Sequence, residues 1–528
     1  MAKPASATQH SGFLLWVEKT GNRLPDPVFI FFYLILALVA ISVLCDLFNV
    51  SALHPSQLGP DGTAKVEHAV SLLSAQNIQR FWVDMPQTFT HFHPLGYVLV
   101  VMLGAGIAER SGLFASAIRS ALRNAPKHLL TPAVALIAML SNHAADAGYV
   151  VMIPLAAIVY ASAGRHPLAG IAAAFAGVSG GYSANFTPGQ LDALLLGITE
   201  SAYLASNIDA GWTINIAGNW WFVLVLLVIY LPVICFITDK VIEPRLGTWT
   251  PSEQSNTQSY ADADRPLTAE QQKGLKHAGF AVLAVCLLWI FMTFGPGTPF
   301  LNDGPDMQGE PWYNIAAPFF QSLVAAFLVL FLLAGWAYGR AAGTIKDKQD
   351  LVEMMTEAMK DLGYYLVLAF AAAHFVAMFN WSNLGLITAV HGADTIRASG
   401  LPLPIVLGLI IIFSALLNLF VGSASAKWAL LAPVLVPMLI LLGVSPEGAT
   451  AAYRVGDGAT NIITPLMPYF PLVLIFAQRW QKDFGIGSLT AMMIPYALWM
   501  LISGTLLMML WLFLGLSLGP GAPASIGH

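Results

Sequence analysis

The chain has 528 residues, of which 57% are apolar and 10% charged, with a formal net charge of −5. A soluble chain carries about 25% charged residues, so too few charges are present to cover the several polar-surfaced domains that this length would form. Disordered, disulfide-rich and nucleic-acid-binding classes are excluded as well, because no basic run occurs and Cys45, Cys235 and Cys286 lie in apolar stretches without metal-ligand or disulfide spacing.

The expected fold is an all-α polytopic membrane protein in a lipid bilayer. A spanning helix needs about 20 mostly apolar residues. The first candidate, Asp26 to Phe48, follows a segment carrying Lys3, Lys19 and Arg23 and has no small-residue cleavage site, so it reads as a retained helix with a cytoplasmic N-terminus. Further unbroken candidates are Pro94 to Gly112, Trp220 to Ile242, Gly279 to Gly295, Ile315 to Gly339, Gly363 to Asn380 and Met492 to Gly519. Two regions, Leu129 to Thr199 and Pro402 to Phe476, are longer than one span and carry Gly, Pro, Ser and Asn in their middles.

Lys and Arg set the orientation. Four basic stretches are placed in the cytoplasm: Arg110 to Lys127, Lys240 to Lys276, Arg340 to Lys360, and Arg479 with Lys482. The loops Asn49 to His93 and Pro296 to Asn314, and the tail after Pro520, are placed outside. Consistency then gives nine spans and two re-entrant hairpins. The first half covers 1–242, with a hairpin at about 129–163 entered from the cytoplasm and a broken helix at about 166–206. Residues 243–278 read as a flexible cytoplasmic linker. The second half covers 279–528, with a hairpin at about 402–443 entered from outside and a broken helix at about 446–476.

The two interrupted regions resemble each other. Pro154 and Pro167 stand 13 residues apart, as do Pro433 and Pro446. Tyr149 and Trp428 each lie five residues before the first proline, and Thr187-Pro188 and Thr464-Pro465 follow 20 and 18 residues after the second. The halves have opposite orientation, and paired interrupted segments in inverted halves point to a transporter binding site.

At the hairpin tips stand Ser141-Asn142 and Gly422-Ser423-Ala-Ser425, facing Ser179 to Asn185 and Gly456 to Asn461. Hydroxyl, amide and carbonyl oxygens with at most one carboxylate suit Na⁺. The candidate ligands are Ser141, Asn142, Asn185, Ser423, Asp457 and Asn461; the competing reading is helix-to-helix bonding and packing. No other cofactor is indicated. Arg454 and Asp457 each cost about 2.5–3.5 kcal/mol at mid-membrane on insertion scales, and their (i, i+3) spacing allows them to pair. Arg454 offers a bidentate fork to a substrate carboxylate. Three roles are open to Asp457: holding Arg454, binding the cation, or carrying a proton. Trp428 suits stacking on an aromatic ring, or packing. Asp192 and Asp146 are further carboxylate candidates, and His374 reads as a packing residue.

The runs Gly164 to Gly170, Ala174 to Asn185, Gly422 to Trp428 and Ala452 to Pro465, with Trp16 to Pro27 and Gly519 to Pro523, resemble the AbgT family of p-aminobenzoyl-glutamate transporters over essentially the whole chain. The resemblance implies a bowl-shaped homodimer in a bacterial inner membrane, with nine spans, two hairpins, an inner core and an outer dimerising frame. It implies functional residues at Asp192, Ser425, Trp428, Pro446, Arg454, Asp457 and Pro465. The family includes importers of p-aminobenzoyl-glutamate and exporters of sulfonamide antimetabolites, so secondary transport driven by Na⁺ or H⁺ is expected, with direction open. The family's first tip reads Ser-Asn-Thr, whereas His143 stands third here. A Na⁺-coupled dicarboxylate importer of similar architecture is the alternative. An enzyme is not expected: Arg454-Val455 precedes Gly456-Asp457 where an aspartyl protease needs an earlier Gly, no His-Glu-x-x-His pattern occurs, and no phosphate-binding loop is present. A channel fits paired broken hairpins less well than a carrier does.

Overall fold

A computed structural model describes residues 26–58, 63–123, 129–144, 148–208, 212, 215–249, 266–302, 304, 307 and 310–526. Lys3, Trp16, Lys19, Arg23, Lys127, Asp146 and the linker residues 250–265 lie outside the described residues.

Helix α1 (Pro27–Leu47) starts where Pro27 fixes the first turn and the Asp26 carboxylate accepts from Val28 N at 2.9 Å. The following loop contains an antiparallel hairpin, β1 (Ser51–Leu58) with β2 (Ala64–His68), and two short helices, α2 (Ala75–Val83) and α3 (Met85–Thr90). Helix α4 (His93–Arg110) is followed by α5 (Leu113–Arg123), with a bend of 62° between them at Ser111-Gly112. Gly112 takes φ +89° there, a conformation that L side chains rarely adopt.

The first interrupted region contains α6 (Leu130–His143), α7 (Gly148–Ser162), α8 (Pro167–Gly180) and α9 (Gln190–Ala205), with extended and turn backbone over 181–189. Helix α10 (Trp220–Leu246) follows. Helix α11 (Ala269–Phe294) begins nine residues before the expected linker end at 278. A reciprocal cap between Thr268 and Gln271 starts it, and the following Gln, Lys and Leu residues are good helix formers.

Then come α12 (Ala317–Ala342), α13 (Lys348–Asp361), α14 (Gly363–Trp381) and α15 (Leu384–Ser399). The second interrupted region contains α16 (Leu403–Asn418), α17 (Ala424–Leu441), α18 (Pro446–Thr460) and α19 (Phe470–Gln478). Helix α20 (Ile486–Phe513) leads to a small hairpin, β3 (Ser517–Gly519) with β4 (Ala522–Pro523). Among the described residues, seven helices are long and apolar enough to cross a membrane, or eight if the bent α4–α5 pair is one span. Ala424–Leu441 is among the seven, while α6, α7, α8 and α16 are shorter apolar helices.

Two packing units are distinct. One large buried cluster joins α6 to α10 with α14 to α20. A smaller one joins Ala105 and Ala108 of α4 to Ala278 of α11 and to Phe331, Ala334 and Tyr338 of α12. A side chain at Gly335 would meet the Ala108 backbone nitrogen at 2.7 Å, so this pair of helices packs backbone to backbone. Helix α11 turns Phe280, Phe291 and Phe294 outward, as lipid-facing residues should be.

Candidate functional site

The centre of the large unit is the meeting of α8 and α18. Both start with proline at the first helical position. His166 Nδ1 accepts from Leu168 N at 3.2 Å, and Ser445 Oγ accepts from Gly448 N at 3.0 Å. Every residue of α18 is buried, including Glu447, Arg454 and Asp457. Glycine permits this depth: a Cβ on Gly458 would stand 3.1 Å from the Gly180 carbonyl oxygen, and one on Gly456 would strike the Ile411 carbonyl oxygen.

Arg454 does not pair with Asp457, contrary to the expectation from their spacing. Its Nη1 donates to Asp192 Oδ1 at 2.6 Å, and Asp192 Oδ2 accepts from Gly189 N at 2.8 Å at the start of α9. Asp457 instead pairs with Lys427 on α17, whose ammonium also donates to Asn418 Oδ1. Tyr182 OH donates to Asp457 Oδ2 at 3.0 Å and Tyr453 OH to Oδ1 at 3.2 Å. Positions 454 and 457 are about 60° apart around a helix, enough to send one side chain toward α9 and the other toward α17. Lys427 was not singled out by sequence reasoning. Its signal was present: a cation inside an otherwise apolar helix, where an isolated charge is costly.

Arg454 keeps two unpaired donors, Nε and Nη2, although the residue is 1% exposed. The residue borders a chamber of about 20 Å³ lined by Asp192, Thr199, Asn219, Glu447, Thr450 and Arg454. The chemistry available is anion binding beside a compensating carboxylate, under full desolvation.

The serine spacing Gly177-Val-Ser-Gly-Gly181 resembles a nucleophile elbow. Ser179 is buried in a π-helical turn rather than a strand-to-helix turn, and its Oγ donates to Met467 Sδ at 3.8 Å, a contact that does not activate a hydroxyl.

The chain matches the AbgT putative transporter family over residues 12–526. It is a member of the AbgT family. It is 35% identical over 522 residues to the p-aminobenzoyl-glutamate transport protein of Escherichia coli (strain K12), covering 99% of this chain and 98% of that relative. Its fold is similar to the MtrF structure from Neisseria gonorrhoeae, described as illuminating a class of antimetabolite efflux pumps. The TM-score is 0.87 at 40% identity, covering 97% of this chain and 100% of that one. It is also similar to the YdaH transporter of Alcanivorax borkumensis, with a TM-score of 0.85 at 39% identity, covering 94% and 100%. The chain is therefore a multi-pass membrane transporter of the class that handles small molecules, which points away from an enzyme.

In this AbgT protein the remaining candidates fall around the same centre. Trp428 is fully buried and stacks on Tyr453, with centroids 4.6 Å apart, and its Nε1 donates to Thr199 Oγ1 at 2.9 Å. Thr199 continues to Thr450 Oγ1 at 2.8 Å, one turn from Pro446. Ser423 caps α17 by accepting from Ala426 N at 3.3 Å and lies 3.3 Å from Ser425 Oγ. Gly422 presses directly on the Leu466 carbonyl, beside the half-buried Pro465.

Asn461 Oδ1 accepts from Asn418 Nδ2 at 2.9 Å. On the other side, Ser141 and Asn142 return their side chains to the Ala138 and Met139 carbonyls at 2.7 and 2.8 Å. Asn185 Nδ2 donates to the Tyr182 carbonyl at 3.2 Å, and its Oδ1 is buried without a partner. His143 packs on Gly189, and its Nε2 lies 3.4 Å from Thr187 Oγ1, which brings a threonine hydroxyl to the tip. His374 is buried in α14 with its Nδ1 2.7 Å from the Phe370 carbonyl, a packing position.

Proposed function

We propose that this chain is a secondary active transporter of p-aminobenzoyl-glutamate or related aromatic carboxylates, driven by an H⁺ or Na⁺ gradient, with sulfonamide antimetabolites as export substrates. One observation carries the reading: the buried Arg454 guanidinium, held on one side by Asp192, with Nε and Nη2 unpaired. A substrate carboxylate accepting from those donors brings a second negative charge beside Asp192. A cation must then accompany it, since an unpaired charge in a desolvated site is strongly unfavourable. Coupling follows from that charge count. The relative named for p-aminobenzoyl-glutamate supports the substrate class.

The two oxygen clusters differ in fitness for Na⁺. Ser141, Asn142 and Asn185 offer neutral oxygens, and the unpaired Asn185 Oδ1 suits a small cation. At Ser423, Asp457 and Asn461 the Lys427 ammonium already supplies the positive charge, so the sodium assignment from sequence is revised there. Asp192, paired with Arg454, and Asp457, paired with Lys427, are two carboxylates available to a proton route. In this reading the N-terminus is cytoplasmic, the C-terminus periplasmic, and the small unit built on α4, α11 and α12 is the frame of a homodimer in the inner membrane.

Burial of Trp428 against Tyr453 favours a second reading, a dicarboxylate importer without a ring site. The deciding experiment is uptake of labelled p-aminobenzoyl-glutamate into proteoliposomes under separate Na⁺ and H⁺ gradients, with Arg454→Ala beside each. Saturable flux driven by one gradient and lost in the variant is expected. Uptake of plain dicarboxylates alone, unaffected by Trp428→Ala, would establish the second reading instead.

A further inference from the structure

Glu447 sits in the first turn of α18 and is buried. Its Oε1 accepts from Trp212 Nε1 at 3.2 Å, while Oε2 is buried without a partner. The carboxyl lines the same chamber as the Asp192–Arg454 pair, with Thr450 between them on α18 and the unpaired Asn219 Oδ1 opposite. The Gly218 backbone closes over it: a Cβ there would meet the Glu447 Cγ at 2.6 Å. The charged groups facing it are Asp192 from α9 and Arg454 from its own helix. Tyr203, whose hydroxyl accepts from the Trp212 backbone nitrogen at 3.4 Å, lies behind Trp212.

An acid in a first turn often only complements the helix dipole. Such a residue has its oxygens satisfied by solvent or by backbone N–H groups. Here one oxygen is desolvated and unpaired, a state that calls for an explanation, and a glutamine would accept from Trp212 equally well. At about 20 Å³ the chamber has room for one water-sized guest and none for an aromatic substrate. An ionisable group at this depth, facing a water-sized polar void, fits proton handling.

We propose that Glu447 is the proton-accepting residue of the transport site. A hydronium ion reaching the chamber gives its proton to Oε2 and leaves as water, and the neutral acid returns the proton to water later in the cycle. This rests on the transport reading above, with the proton as the accompanying cation. Na⁺ at Glu447 is the competing occupant.

The test has two arms. In the first, pH-difference infrared spectra of the purified full-length protein are recorded in the protonated-carboxyl C=O region, without substrate. A band is expected that vanishes in Glu447→Gln and persists, displaced, in Glu447→Asp. In the second, p-aminobenzoyl-glutamate accumulation under an imposed pH gradient is expected to be lost in Glu447→Gln and to recover partly in Glu447→Asp.

An infrared difference spectrum identical in wild type and Glu447→Gln would overturn the proposal, as would a band abolished by Na⁺ at constant pH. Undiminished pH-driven accumulation by Glu447→Gln would do the same. If the wild type moves no p-aminobenzoyl-glutamate, the substrate assignment fails and the infrared arm still decides the role of Glu447.

Discussion

Lys427 and Asp457 form an ion pair whose side chains are both fully excluded from solvent, joining α17 to the middle of α18. Removing one partner leaves an uncompensated buried charge, whereas removing both does not. Lys427→Met is expected to destabilise the fold by about 3–5 kcal/mol, read as a lowered thermal midpoint in detergent. The double variant Lys427→Met with Asp457→Asn should regain most of that stability and still fail to transport. A double variant no more stable than the single one would sink this account of the pair.

Arg454 binds through its planar fork, which an ammonium cannot reproduce. Arg454→Lys keeps the charge beside Asp192, so its folded yield should approach that of the wild type. Its affinity for p-aminobenzoyl-glutamate should fall by about 1.5–3 kcal/mol, the worth of a hydrogen bond to a charged group. Calorimetric titration of the purified variant checks this. Equal affinity in the two proteins would show that Arg454 acts as a charge alone.

His166 caps α8 from the turn that follows α7, beside Arg165, whose Nε donates to Glu243 Oε1 at 3.0 Å. Burial lowers its imidazole pKa from the ordinary value, and Glu243 opposes the shift only in part. The unfolded chain therefore takes the proton first. Stability at this site is full above about pH 6.5 and declines as pH falls below it. Protonation of Nδ1 also removes the acceptor for Leu168 N. His166→Asn retains a capping oxygen and should flatten the loss of thermal midpoint between about pH 7.5 and about pH 5.5. An unchanged loss would place the acid sensitivity elsewhere.

Gly456 lies where α18 crosses α16, with Ser414 Cβ 2.9 Å from any added Cβ. Gly456→Ala forces the crossing apart and should cost about 1–3 kcal/mol. Gly363→Ala, with nothing within 4 Å of the added carbon, is the matched control and should leave the thermal midpoint near that of the wild type.

The interrupted regions were legible because their signals are local. Pro167 and Pro446 both open helices, and the Gly and Asn residues at 180–185 and 458–461 mark where those helices end. What sequence did not reveal was long-range pairing. Spacing placed Arg454 near Asp457, but the true partner is 262 positions away on α9, and no periodicity encodes that contact. Lys427 was hidden inside a hairpin-tip run read for its hydroxyls, and Glu447 stands in a helix's first turn, where an acid is common. The β1–β2 hairpin was missed because His54, Gln57, Lys65 and Glu67 break up its apolar pattern. The early start of α11 was missed because polar residues build its first turns.

Residues 517–526 back the wall of the site. The Ser445 backbone nitrogen donates to the Ala524 carbonyl at 3.1 Å, Ile526 N to the Gly443 carbonyl at 2.7 Å, and Asn215 Nδ2 to the Pro520 carbonyl at 3.0 Å. Gly519 lies against the backbone of Ala217 and Gly218. A ribosome that has delivered α20 has therefore still not delivered the strand that seats the head of α18. The wall behind the chamber is completed only when residues 517–526 have followed α20 out of the exit tunnel and docked beside Gly218. A chain stopped after Phe513 would carry α1 to α20 and lack the backbone partners of Ser445 and Gly443.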